Sequence, residues 1–260
     1  MNALSINSLC KKFGSQVVLD NLTLTIKQGQ ISGLIGPNGA GKTTTINCIS
    51  DLLNFDSGAI EIFGNDLTAN KIEAKKKIGV LYENTESLFE YLKGEEQLQF
   101  VGEIYGLDKS TIENRINELL EYFDLEIFRW KSISEYSKGM KKKLAFASIL
   151  LYNPDLIILD EPFDGLDALT VMKVKELIKI LKQNGKTILI TSHILSYIED
   201  ITDEVAIINN GKIVFKSPTN EIRTKFKNSL TNENYESLEE VFLDITNQID
   251  NNEKNLSWLS

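Results

Sequence analysis

The stretch Gly36-Pro37-Asn38-Gly39-Ala40-Gly41-Lys42-Thr43 leaves few folds open to this chain. It fits G-x-x-x-x-G-K-S/T at every fixed position, and its surroundings suit it. Residues 31–35 are a short apolar run that reads as a buried strand, and residues 44–49 read as the start of a helix. Glycines here let successive backbone N–H groups turn toward one point, and a helix N-terminus adds a field favourable to phosphate. Lys42 is expected to reach the β- and γ-phosphates of a nucleotide, and the Thr43 hydroxyl to ligate Mg²⁺. Gly36, Asn38, Gly39, Ala40, Gly41 and Thr44 complete the expected cradle. Such a loop names only a superclass, since kinases, GTPases, motors and transport ATPases share it. Asn70-Lys71-Ile72-Glu73 faintly resembles a guanine-reading N-K-x-D, but it ends in Glu and follows the loop too soon, so it reads as a solvated helix turn.

Composition removes several alternatives. The chain has 260 residues, which suits one large α/β domain or one domain with a small appendage. Its net charge is −9, of which −6 falls in residues 228–260, so no strongly basic surface is available and a nucleic-acid partner is not expected. Cys10 and Cys48 are too few and too far apart to signal a disulfide framework or a Cys-type zinc site. His193 is the single histidine, which excludes histidine-built metal clusters. The opening Met1-Asn2-Ala3-Leu4 lacks the charged and apolar regions of a signal peptide. No apolar run approaches the roughly 18–20 residues that span a bilayer. A soluble, cytosolic chain is expected, with any membrane role arising through a partner.

Periodicity gives the order of elements. Residues 3–9 and 17–26 alternate apolar and polar as half-buried strands do, and 28–30 make a turn. A helix is predicted from about 41 to 53 and a strand over 59–63. Residues 84–152 read as helical, with Ile112, Ile116, Leu119, Leu120 and Phe123 at helical spacing. Strand and helix patterns then alternate over 156–159, 169–182, 186–191, 194–201, 205–208 and 212–215. The fold class is therefore α/β, a mainly parallel sheet wrapped by helices, its sequence divided by a helical block.

The predicted strand 156–159 ends in Asp160-Glu161-Pro162, at the position where open α/β sheets put their chemistry. Asp160 is expected to hold the Mg²⁺ shell. Glu161 is expected to orient or deprotonate an attacking water.

With both elements in place, the chain resembles the nucleotide-binding subunit of ABC transporters over roughly residues 3–216. Tyr136-Ser137-Lys138-Gly139-Met140 falls where that family has its L-S-G-G-Q signature, Gly165-Leu166-Asp167 matches its D-loop, and Thr191-Ser192-His193 its switch histidine. The resemblance implies a P-loop NTPase of the ABC ATPase fold: a mainly parallel core, an antiparallel β subdomain and an α-helical subdomain inserted at about 84–152. The ATPase domain would span 1–218 and a helical tail 219–260. The implied ligands are ATP and Mg²⁺. The implied partners are a second ATPase subunit, most simply an identical copy, and a transmembrane permease that holds the chain at the cytoplasmic face of the membrane. Ser137 and Gly139 would clamp the γ-phosphate of ATP bound to the opposite subunit, and His193 would contact that phosphate beside Glu161. Phe13 resembles the aromatic that stacks on adenine.

Departures from the family pattern are specific. Tyr136, Lys138 and Met140 replace Leu, Gly and Gln of the signature, and Glu83 stands where a mobile loop usually carries Gln. Glu83 is expected to act as a metal contact and mechanical link. Leu88, Phe89, Tyr91 and Leu92 are candidates either for a permease anchor or for ordinary packing. The basic run Lys138 to Lys143 is expected to be a solvated helix face. In the tail, Leu238, Val241, Phe242, Ile245 and Ile249 share one helical face, which would also serve to close the core. Residues 237–246 resemble the end of ATPases serving ABC-2-type exporters, which implies export, and the Asn-rich residues from about 251 are expected to fray. Two rivals fit less well. Soluble relatives acting on nucleic acid or ribosomes usually carry two cassettes or long coiled coils, and a silent sensory module would not need Lys42, Asp160, Glu161 and His193 together.

Overall fold

Alternation of apolar and polar residues builds the first sheet. β1 (Asn2–Phe13) and β2 (Gln16–Lys27) form an antiparallel hairpin that buries Leu4, Ile6 and Leu9 against Leu22, Leu24 and Ile26. β4 (Ser57–Ile62) pairs antiparallel on the other edge of β1, and the short β5 (Asn65–Asp66) completes the order β2-β1-β4-β5. These relations are taken from a computed structural model, which describes residues 1–84, 87–225 and 234–247.

The second sheet has the order β10-β9-β3-β8-β7-β6. Five strands run parallel: β3 (Ile31–Ile35), β6 (Ile78–Leu81), β7 (Leu156–Asp160), β8 (Thr187–Thr191) and β9 (Glu204–Asn209). β10 (Lys212–Pro218) closes one edge antiparallel. β3, β7 and β8 are buried at every position, as strands covered on both faces must be. Side chains divide by parity between the two faces. Leu156, Ile158 and Leu189 pack toward the antiparallel sheet with Leu34 and Ile46, whereas Ile157, Leu159, Ile188 and Ile190 pack toward the helical block.

Helix α1 (Lys42–Ile49) is shorter than its periodicity predicts. Asp51 takes a left-handed φ of 57°, and the N–H groups of Leu52 and Leu53 both return to the carbonyl of Asn47, which ends the helix. Helix α2 (Lys71–Lys76) leaves Ile72 exposed, as a solvated turn should. Between β6 and β7 lie α3 (Gly94–Ile104), α4 (Lys109–Tyr122) and α5 (Lys138–Leu151), joined around Leu98, Ile112, Ile116, Leu120 and Leu144. Within this block Leu88 and Leu92 pack inward, while Phe89 and Tyr91 are exposed and Phe89 meets Phe100 edge-on at 5.3 Å.

The basic run at the start of α5 is not a uniformly solvated face. Lys138, Lys141 and Lys143 pair with Asp164, Glu90 and Asp124, but Lys142 is 1% exposed. Helical geometry turns that position inward, and a long apolar stem lets lysine occupy it. After β7 come α6 (Ala168–Gln183), α7 (Leu195–Glu199) and α8 (Thr219–Lys225), and the tail helix α9 (Leu238–Asn247) closes a third apolar cluster. Leu238 and Val241 are fully buried there against Ile35, Leu195 and Ile198, with Phe242 and Ile245 at the margin. Ile249 and the residues from 251 lie outside the described residues. Among the described residues no helix is long and apolar enough to cross a membrane.

Candidate functional site

Strand order concentrates the motif residues. β3, β8 and β7 are neighbours, and β6 flanks β7, so the loops leaving their carboxyl ends share one side of the sheet. A cavity of about 560 Å³ opens there, lined by Lys42, Thr43, Glu83, Asp160, Glu161 and His193 among others.

The first wall is the loop between β3 and α1. Gly36 must lack a side chain, because a Cβ there would sit 2.3 Å from the Ile208 carbonyl oxygen of β9. Gly41 precedes α1 at a φ of 110°, which side chains rarely tolerate, and a Cβ there would meet Leu19 at 2.8 Å. The loop therefore hugs β9 and β2, with its remaining face toward the cavity, where Asn38, Gly39, Gly41 and Thr44 line it. Ala40 lies beneath, its carbonyl accepting from the N–H of Gly211. Lys42 folds back so that Nζ donates to the carbonyls of Gly36 at 2.6 Å and Pro37 at 3.3 Å. Burial lowers its pKa below the ordinary lysine value, against the opposing pull of the Glu161, Asp160 and Glu83 carboxylates.

The opposite wall is the pair that ends β7. Asp160 is 2% exposed and stands in register with Thr191 of β8. The Thr191 hydroxyl donates to Asp160 Oδ1 at 2.6 Å, and the Thr43 hydroxyl donates to Oδ2 at 3.4 Å. Burial raises the Asp160 pKa, the Glu161 carboxylate raises it further, and the two hydroxyls and Lys42 oppose them. Glu161 adopts a φ of 46°, a left-handed conformation that costs a non-glycine residue about 1 kcal/mol. Its N–H is held by the Thr191 hydroxyl oxygen at 3.1 Å. Glu161 Oε2 in turn accepts from the backbone N–H of His193 at 3.1 Å and meets His193 Nδ1 at 2.9 Å. The imidazole is 61% exposed and faces the cavity.

Other sequence candidates fall elsewhere. Glu83 is exposed at the rim beside the Asp160 wall. Phe13 lies outside the cavity lining, half-exposed under the Lys11 ammonium at 5.3 Å, and its ladder partner Gln16 lines the cavity together with Val18. Ser137 and Gly139 are also absent from the lining. Ser137 Oγ caps α5 by accepting from the N–H of Met140 at 3.2 Å. The Gly139 position faces the Gly165 carbonyl, so the signature stretch and the Gly165-Leu166-Asp167 turn sit side by side. Sequence reasoning assigned no role to Thr191, Gln16 or Val18. A threonine closing a buried strand of the same length as β7 is the one signal that would have drawn attention to Thr191.

The donors present are hard oxygens, the Asp160 carboxylate and the Thr43 hydroxyl, within hydrogen-bonding distance of each other. Among the described residues no group of three or more His, Cys, Asp or Glu side chains forms a metal cage. That pairing suits a small hard cation which keeps water and phosphate oxygens as its other ligands.

A phosphate loop opening a helix from β3, an acidic pair closing β7 and a histidine after β8, in one sheet interrupted by helices, define an ATP-binding cassette. The sequence profile of the ABC transporter family matches residues 19–164. The chain is 40% identical over 218 residues to the bacitracin transport ATP-binding protein BcrA of Bacillus licheniformis, covering 84% of this chain and 70% of that one. It is 34% identical over 223 residues to the Nod factor export ATP-binding protein I of Ralstonia nicotianae, covering 85% and 68%. A solved ATP-binding subunit of an ABC transporter superposes with a TM-score of 0.86 at 34% identity, covering 94% of this chain and 99% of that one. The chain belongs to the ABC transporter family, as an ATP-binding subunit whose ATPase activity is coupled to transport.

Proposed function

We propose that residues 1–218 bind Mg-ATP in the cavity above β3, β8 and β7, that two copies of the chain close around two nucleotides, and that this closure drives export through a separate permease. The Asp160–Thr191–Glu161–His193 network carries the reading, because it sets a strained carboxylate and an imidazole opposite the phosphate loop. Lys42 would leave the Gly36 and Pro37 carbonyls for β- and γ-phosphate oxygens. Thr43 and Asp160, with Glu83 at the rim, would hold Mg²⁺, which when bound offsets charge on the phosphates. Glu161 takes the proton of the attacking water, and His193 holds Glu161 Oε2 in place while reaching the γ-phosphate with its exposed edge. Phe13 would meet the adenine. Ser137 and Gly139, away from the cavity of their own chain, would complete the site of a second copy.

Export through an ABC-2-type permease is supported by the relatives named for bacitracin transport and Nod factor export. Phe89, Tyr91 and Phe100 form an exposed aromatic group beside the Glu83 loop that suits a permease segment, with the subunit held peripherally at the cytoplasmic face. Residues 219–260 would be a C-terminal helical tail whose α9 packs onto the ATPase domain. The test is Glu161→Gln in the full chain. Steady-state ATP turnover is expected to fall by about 100-fold or more, while sedimentation in Mg-ATP detects a persistent dimer. Turnover within about threefold of the parent chain would remove Glu161 from the base role.

A further inference from the structure

Lys142 lies on α5, five residues past Ser137, and is 1% exposed. Taking an ammonium out of water costs several kcal/mol unless polar groups replace its hydration. Its neighbours on the helix pair with carboxylates, but Lys142 points to backbone: Nζ donates to the carbonyl of Glu83 at 3.1 Å and of Tyr82 at 3.4 Å. Burial lowers its pKa, and the carboxylates of Asp164, Asp160 and Glu83 push it back up. A neutral donor could make the same hydrogen bonds. The three carboxylates thus offset part of the cost of burying the ammonium.

The two carbonyls belong to the loop that leaves β6. That loop is tied on its other side as well, since the Tyr82 hydroxyl donates to Ser50 Oγ at 2.8 Å, just past the end of α1. One short segment thus bridges the helix opened by the phosphate loop and the helix opened by Ser137. At this tied segment Glu83 lines the same cavity as Lys42, Thr43 and Asp160.

We propose that Lys142 is a positioning residue for Glu83: by holding the Tyr82 and Glu83 carbonyls, its ammonium fixes the Glu83 carboxylate at the cavity rim and makes this loop and α5 move as one body. The proposal rests on the reading of the cavity as a Mg-ATP site. A deletion of the charged head at nearly constant volume, Lys142→Met, separates the tie from simple packing.

Two measurements on the full chain decide it. In nucleotide-free protein, amide hydrogen exchange of the peptide covering 78–84 is expected to quicken about fivefold or more in Lys142→Met, with the peptide covering 94–104 unchanged. The Mg²⁺ concentration for half-maximal ATP turnover is expected to rise about tenfold, with ATP binding in EDTA held within about twofold. Wild-type exchange in 78–84 overturns the proposal. So does faster exchange spread evenly over the chain, because that is general destabilisation. If Lys142→Met does not fold, Lys142→Gln is measured with the same expectations, since its shorter amide lacks both the charge and the reach. If the parent chain fails to bind Mg-ATP, the cavity reading falls, while the nucleotide-free exchange still judges the Lys142 tie.

Discussion

Asp160 is a carboxylate held at 2% exposure whose direct hydrogen-bond partners are the hydroxyls of Thr191 and Thr43. Its pKa is raised in the fold, mainly by burial. A group raised in this way favours folding below its unfolded pKa, and that contribution is lost as pH rises through the folded value. As pH rises toward neutral the nucleotide-free chain therefore loses that contribution, a cost in stability that a bound ligand would offset. Asp160→Asn removes the charge and keeps the shape. Urea unfolding at pH 7.5 should find it about 1 kcal/mol more stable than the parent, with ATP turnover lost. The gain should narrow as pH falls into the carboxylate range, and a variant less stable than the parent at pH 7.5 would contradict the account. The candidate site was legible residue by residue because Gly36, Lys42, Thr43, Asp160 and Glu161 lie in short runs beside strand patterns. Thr191 was not, since its role depends on lying opposite Asp160, 31 residues away in sequence.

At the scale of elements, the tail helix α9 is part of the core. Leu238 and Val241 are fully buried against Leu195 and Ile198 of α7 and against Ile35, the last residue of β3. The N–H of Leu238 donates to Glu199 Oε2 at 3.2 Å, which ties α9 to α7 again. Thus the tail supports the elements that carry His193 and the phosphate loop. Leu238→Ala is expected to cost about 2–4 kcal/mol in the free energy of unfolding, measured by urea denaturation. A loss below about 0.5 kcal/mol would mean that α9 lies loosely on the domain. The amphipathic stripe was visible in the sequence, but the element it packs on was not. The helix after the phosphate loop was likewise visible, while its stop at Asp51 was not, because nothing local forbids another turn there.

For the whole molecule, separation of the signature stretch from the cavity is the decisive arrangement. A Cβ at Gly139 would find its nearest protein atom, the Gly165 carbonyl oxygen, 3.7 Å away, so the single chain has room for a methyl group. Gly139→Ala should therefore stabilise the isolated chain by about 0.5–1 kcal/mol, through the helical preference of alanine. In the proposed dimer the same methyl would obstruct close approach of the second copy's nucleotide phosphate. Combined with Glu161→Gln, it should weaken the Mg-ATP dimer about tenfold or more in sedimentation, a loss of roughly 1.4 kcal/mol. A dimer of unchanged strength would place the second copy's contact elsewhere.

Local backbone preference and periodicity specify the phosphate loop, the strands that read as short apolar runs, the acidic pair that ends one of them, and the helical block between. Each is written within a few residues, where glycine conformation and side-chain parity act. Which of these groups meet is set by long-range packing. Strand order brought β8 between β3 and β7, so that Thr191 joined Asp160 to Glu161 and His193 reached the carboxylate it faces. Packing turned Lys142 inward and left Ser137 and Gly139 outside the lining of their own chain's cavity. Such partners are separated by tens of residues, and what joins them is the register of a sheet and the fit of buried surfaces, properties that no single stretch of sequence carries.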